Sequence, residues 1–168
     1  MHQPLFVITP QNQTNMERIS FKEAAGVYNA LKTGQNYVDQ CGLDLKLLEL
    51  IYMRVSQINS CAYCLDMHYK KGIHYGETPL RLISVSAWRE TDYYTPQEQA
   101  VLAFAEHLTH MPAEQHSDHL HDELNKYFTK EEVANITMAV IQINSWNRLT
   151  RSFGSVAGRF QIPVAPIK

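Results

Sequence analysis

An all-α fold is predicted for this chain of 168 residues by three features of its sequence. Apolar residues recur at three- and four-residue spacing, nothing alternates convincingly at a period of two, and Gly, Pro and capping residues cut the chain into helix-length pieces. The hydrophobic fraction of 45% suffices for one packed core, and the charged fraction of 19% is that of a folded chain rather than a disordered one. One domain over residues 1–168 is expected, because no repeat, low-complexity tract or long linker divides it.

The elements follow in order. Ser20 to Lys32 forms a first helix, ended by Gly34. From Asp44 to Asn59, Leu47, Leu48, Ile51, Val55 and Ile58 recur at helical spacing. Ser60 is read as the N-cap of the next helix, which runs to about Tyr75 with Gly76 beyond its end. Thr78-Pro79 opens a short helix reaching about Trp88, since Pro suits the first helical position. Thr95-Pro96-Gln97-Glu98 starts another, with Val101, Leu102, Ala105 and Leu108 along one face, until Pro112. Ser117 to Phe128 is short and amphipathic. Thr129 and Glu132 have capping-box spacing and open a long helix with Val133, Ile136, Val140 and Ile143 on one side, ended near Gly154. The tail from Gly158 to Lys168, with Pro163 and Pro166, reads as extended.

Composition excludes several functions. The formal net charge is −2 and no run of Lys or Arg forms the basic stripe that nucleic acid requires. No apolar run approaches the ~20 residues that cross a bilayer. Met1 to Asn15 lacks a basic region followed by an apolar stretch, and Pro4 and Pro10 interrupt it, so no secretory signal is read. A cytoplasmic protein is expected. There, two of the three cysteines lying three apart point to redox cycling or metal binding rather than to a disulfide framework.

The stretch that carries chemistry is Cys61-Ala62-Tyr63-Cys64-Leu65-Asp66-Met67-His68. Cys61 and Cys64 are one helical turn apart, and Cys64 and His68 project from the same face. An imidazole beside a thiol accepts its proton, and the thiolate is the nucleophile. A cap at Ser60 puts both cysteines near the helix start, where the dipole also favours thiolate. Near such an end Cys61 could turn to meet Cys64 in a disulfide. If the helices on either side of Asn59-Ser60 form an antiparallel hairpin, Glu49 and His68 lie about 15 and 11 Å from the bend at about 1.5 Å per residue. Glu49 then reaches His68 directly or through one water, in a Glu–His–Cys relay.

Glu49 followed by Cys61-x-x-Cys64-x-x-x-His68 resembles the signature of the AhpD-like alkylhydroperoxidases, related in fold to carboxymuconolactone decarboxylases. Ser86-Ala87-Trp88-Arg89, Glu98 to Thr109 and Ile143-Asn144-Ser145-Trp146-Asn147-Arg148 are also similar to that family, and the motif core covers about 43–90. The resemblance implies an all-helical subunit in homo-oligomers, often trimers or hexamers. It implies Cys64 as the peroxidatic thiol that becomes a sulfenic acid, Cys61 as the resolving thiol, and His68 with Glu49 as proton relay. A small hydroperoxide is then the substrate and an external dithiol, such as a lipoyl-bearing protein, the reductant. Where well-studied members carry a second His between the cysteines this chain has Tyr63, which removes one proton carrier. The dipole alone would make Cys61 the more acidic thiol; the specific base one turn away favours Cys64 as nucleophile.

Other readings compete with this one. Within enzymes they are a disulfide reductase or a carboxymuconolactone decarboxylase-like activity, although decarboxylase relatives generally lack the Cys pair. Outside enzymes they are a redox sensor or a zinc-stabilised interaction domain. Zinc lacks a distant second ligand pair, and a haem attachment fails because Leu65, not His, follows Cys64. His107, His110, His116, His119 and His121 are read as solvated faces divided by Pro112, Cys41 as a bystander thiol, Tyr63 as a pocket-lining residue, and Trp88, Trp146 and Arg148 as core or interface residues. No cofactor and no metal are expected.

Overall fold

Helix starts follow the capping chemistry of the sequence. Thr95 and Thr129 each accept from the amide three residues on, and Glu98 and Glu132 accept from the cap amides, closing two capping boxes. Asp44 accepts from the Leu47 amide at 2.9 Å and Thr78 from that of Arg81. The computed structural model describes residues 17–113 and 116–162. Among these are seven α-helices and no strand: α1 (Ala25–Gln40), α2 (Leu45–Ile58), α3 (Ala62–His74), α4 (Pro79–Ser84), α5 (Pro96–His110), α6 (Asp118–Leu124) and α7 (Lys130–Phe153). Val85–Glu90 is a 3-10 turn after α4. No described helix is long and apolar enough to cross a membrane.

The core sits where α2 meets α5 and α7. Leu48, Ile51 and Val55 of α2 pack with Val101, Phe104 and Ala105 of α5 and with Ile136, Val140 and Ile143 of α7, the faces that the periodicity marks. Full burial contributes about 1.5–3 kcal/mol for each large aliphatic side chain. A second cluster on the other side of α2 joins Leu50 and Met53 to Leu82, Val85, Trp88 and Leu102. Sandwiched between two clusters, α2 is buried at nine of its positions, Glu49 among them.

Several boundaries differ from the sequence reading. α1 does not end at Gly34 but continues to Gln40. A Cβ built on Gly34 would lie 2.0 Å from Gln142 Nε2 and 3.1 Å from Met138 Cε, so this glycine lets α1 approach α7 closely. Ser20 belongs to a turn before α1, in which its amide and hydroxyl both donate to Glu23. α6 stops at Leu124, whose carbonyl then accepts from both Tyr127 and Phe128 as the chain tightens and buries the Phe128 ring. After Gly154, a left-handed C-terminal cap (φ 75°), the tail folds back along α3: the Gly158 amide donates to Asp66 and Lys70 Nζ to the Phe160 carbonyl. Pro163 and Pro166, and the segment Met1 to Asn15, lie outside the described residues.

Because Gly34 faces α7 rather than solvent, Gly34→Val should lower unfolding free energy by about 1–3 kcal/mol through overpacking. Urea denaturation followed by circular dichroism measures this. Unchanged stability would mean that α1 and α7 are not in close contact there.

Candidate active site

The site is built around the turn between α2 and α3. Ser60 takes a left-handed conformation (φ 50°) and the extended residue Cys61 is the N-cap of α3, so the cap lies one residue later than Ser60. Cys64 is therefore the third residue of the helix. α7 holds this turn in place. Asn59 Nδ2 donates to Asn144 Oδ1 and Asn147 Oδ1, each at 3.0 Å, and Asn147 Nδ2 donates to the buried Ser56 hydroxyl at 3.1 Å. Arg151 adds a 2.7 Å bond to the Asn59 carbonyl.

Both sulfurs converge on one hydroxyl of α7. Cys61 Sγ lies 3.2 Å and Cys64 Sγ 3.5 Å from Thr150 Oγ1, and the cysteines are 1% and 0% exposed. Their acidities diverge. The Cys64 thiol hydrogen-bonds to Cys61, and together with Thr150, the Cys64 amide and Asn147 it outweighs burial and holds Cys61 down at about 6. The same hydrogen bond, burial and the neighbouring Cys61 charge push Cys64 up. The two thiols therefore titrate as a coupled pair, with the first ionisation favoured at Cys61 over Cys64.

Glu49 reaches across the hairpin without an intervening water. Its Oε2 lies 2.7 Å from His68 Nδ1, and both residues are buried. A carboxylate only accepts, so, facing one, His68 carries a proton on Nδ1, and Nε2 is the ring nitrogen that this contact leaves free. Tyr52 tilts over the imidazole at 4.6 Å between ring centroids, and burial pushes its phenol up. The four residues expected from the sequence are thus brought together.

Two openings reach the pair. Cys64 and His68 line a mostly apolar cavity of about 430 Å³ whose wall includes Phe21, Tyr28, Tyr63, Trp146 and Phe160. Cys61 faces a smaller one of about 200 Å³ bounded by Arg18, Ser60, Arg151 and Ser155. Tyr63 lines both, as expected of a pocket residue. Trp146, expected in the core or an interface, instead walls the cavity, its Nε1 donating to Gln35 Oε1 at 3.1 Å. Trp88 is a core residue, bonded to the buried Glu106, and Arg148 donates back to Asn144 within α7. Cys41 donates to the Val38 carbonyl, away from the pair. Among the described residues no three His, Cys, Asp or Glu side chains gather as metal ligands, and His121 packs edge-on against Phe104.

Sequence reasoning misses Thr150 and Asn147. Their signal is available: the apolar stripe of α7, Val133, Ile136, Val140 and Ile143, continues at 147 and 150 with buried polar residues.

The sequence profile of the carboxymuconolactone decarboxylase family matches residues 22–107, a span holding Glu49, both cysteines and His68. The chain belongs to this family. Uncharacterized protein YdfG of Bacillus subtilis (strain 168) is 34% identical over 142 residues, covering 84% of this chain and 97% of its own. A solved protein of unknown function from Agrobacterium tumefaciens, described as a putative antioxidant defence protein AhpD, superposes with TM-score 0.80 at 36% identity over 89% of this chain and all of its own. The debrominase Bmp8, solved in complex with 2,3,4-tribromopyrrole, superposes with TM-score 0.73 over 83% of this chain and 74% of its own. At 19% identity it shares the fold alone. The fold of this family member is therefore AhpD-like.

Thiolate absorbance of the reduced protein should rise with a midpoint near pH 6, from Cys61. The charged form is lost as pH falls through that value. Cys64→Ala removes the largest cause of the depression and should move the midpoint up toward the ordinary 9.0. Ultraviolet titration of both proteins checks this, and an unmoved midpoint would refute the coupled-pair account.

Proposed function

We propose that this family member is a thiol-dependent hydroperoxide reductase. The observation that carries the reading is two sulfurs on one Thr150 hydroxyl, beside a buried Glu49–His68 pair, in the wall of an apolar cavity.

In this mechanism a small hydroperoxide enters the cavity and Cys64 attacks its terminal oxygen. Because Cys64 holds its proton strongly, it needs a base. His68 Nε2 accepts that proton and passes it to the departing alkoxide as the O–O bond breaks. The products are an alcohol and a sulfenic acid on Cys64. Glu49 orients the ring and stabilises the imidazolium formed in transit. Cys61, already ionised, attacks the Cys64 sulfur, forming the disulfide and expelling hydroxide, which leaves as water. An external dithiol then donates two electrons and two protons: one proton returns to Cys64, the other balances the hydroxide lost as water, and Cys61 is left as the thiolate; a lipoyl-bearing protein suits this role. The acidity difference suits Cys61 to the resolving step, which needs a thiolate, and makes attack by Cys64 depend on His68 taking its proton.

We place the enzyme in the cytoplasm, where thiols are kept reduced, and as a homo-oligomer, trimeric or hexameric. Leu80 and Ile83 of α4, 56% and 64% exposed, are apolar surface for such contacts.

A second reading is favoured by the lowered Cys61 and its separate opening: disulfide reduction, with Cys61 as the attacking thiolate.

Stopped-flow consumption of organic hydroperoxide separates the two. Cys64→Ser should abolish the first oxidation. Cys61→Ser should allow one turnover and stall at the sulfenic acid, which dimedone traps. His68→Ala should slow the first step about a hundredfold or more. If Cys61→Ser blocks oxidation while Cys64→Ser does not, the roles reverse and disulfide exchange gains.

A further inference from the structure

The cavity at Cys64 is not uniformly apolar. Its aromatic wall is continuous, with Phe21 and Tyr28 centroids 5.2 Å apart and Tyr28 edge-on to Trp146 at 5.8 Å. Two cations, Lys32 and Lys71, are among its lining residues. Neither is committed to a close ion pair. Lys70 is held by Asp66 at 2.7 Å, whereas no ion pair among the described residues uses Lys71. Lys32 has only Asp39, at 3.8 Å with both side chains over 40% exposed. The carboxylate nearest the chemistry, Glu49, is turned to His68.

Register on α3 orders these features. Cys64, His68 and Lys71 lie on successive turns, so Lys71 is about 10 Å along the helix from the reacting thiol, at about 1.5 Å per residue. Lys32 follows Tyr28 by one turn of α1 and faces the same space. A molecule with its reactive end at Cys64 and an aromatic or aliphatic body against the rings would thus place its far end at two ammonium groups. About 10 Å is the span of roughly eight chain bonds, taking a residue's three bonds as about 3.5 Å.

We infer that this cavity selects amphipathic carboxylates, a flat or aliphatic body ending in an anion held by Lys32 and Lys71. Resting on the hydroperoxide reading, it makes the preferred substrate a hydroperoxide of a long-chain or arylalkyl acid. The aromatic wall supplies affinity by burying the body. The lysines, being partly exposed, supply selectivity of a few fold each, which salt should weaken.

The test has a binding arm and a turnover arm. ω-Phenyloctanoate and its neutral amide, neither of them reactive, are titrated against wild type and against Lys32→Gln/Lys71→Gln, with Trp146 fluorescence as readout. The acid should bind wild type about tenfold more tightly than the amide, and the double variant should erase the difference while leaving amide affinity unchanged. Equal binding of acid and amide, no binding of either, or a preference that survives in the variant would overturn the inference. In the turnover arm, kcat/KM for a phenylalkanoic acid hydroperoxide should fall in the variant, and that for its methyl ester should not. If no hydroperoxide is consumed while the acid still binds selectively, the peroxidase reading fails and the ligand class stands.

Discussion

The Asn59–Asn147–Ser56 hydrogen-bond clamp, reinforced by Arg151, is the contact on which the site depends. A helix hairpin alone would leave its bend free to fray, and Cys61 lies at that bend. Fixing the bend to α7 sets the left-handed Ser60, starts α3 one residue later, and brings both sulfurs to Thr150. Buried polar groups of this kind are stable only when satisfied together, so the cluster tolerates little rearrangement. Close approach of α1 to the same helix, which Gly34 permits, closes the opposite side of the cavity through Gln35 and Trp146.

From that placement comes an electrostatic asymmetry between two chemically identical groups. One hydrogen bond cannot stabilise both thiolates, so ionising Cys61 makes ionising Cys64 harder. The Cys64 amide at the helix start favours charge on Cys61, Thr150 favours the thiolate of either sulfur, and the imidazole shares its cavity with Cys64. Helix start and imidazole therefore adjoin different sulfurs. The buried Glu49–His68 pair lies at the cavity that Cys64 also lines, which is where the proposed relay needs a proton acceptor.

Most helices and the four-residue cluster are legible in the sequence because each rests on local chemistry. Capping boxes at Thr95 and Thr129 name their own partners, and the spacing of Cys64 and His68 fixes a shared face before any tertiary contact is known. Glu49 is legible because a carboxylate in an apolar stripe must be paired if buried. The failures are tertiary. Gly34 looks like a terminator because a glycine that breaks a helix and one that admits a neighbouring helix have the same local signature. Ser60 looks like a cap because its hydroxyl suits that role; the clamp from α7, distant in sequence, decides otherwise. Thr150 and Asn147 lie on a stripe whose apolar members alone announce themselves.

Part of the cavity wall is not helical. Phe160 belongs to the tail that Asp66 and Lys70 strap onto α3. A wall borrowed from outside the helices can be lengthened, trimmed or rewritten without repacking any of them. The side of the cavity that Phe160 forms can thus be reshaped while the clamp keeps the two sulfurs where they are.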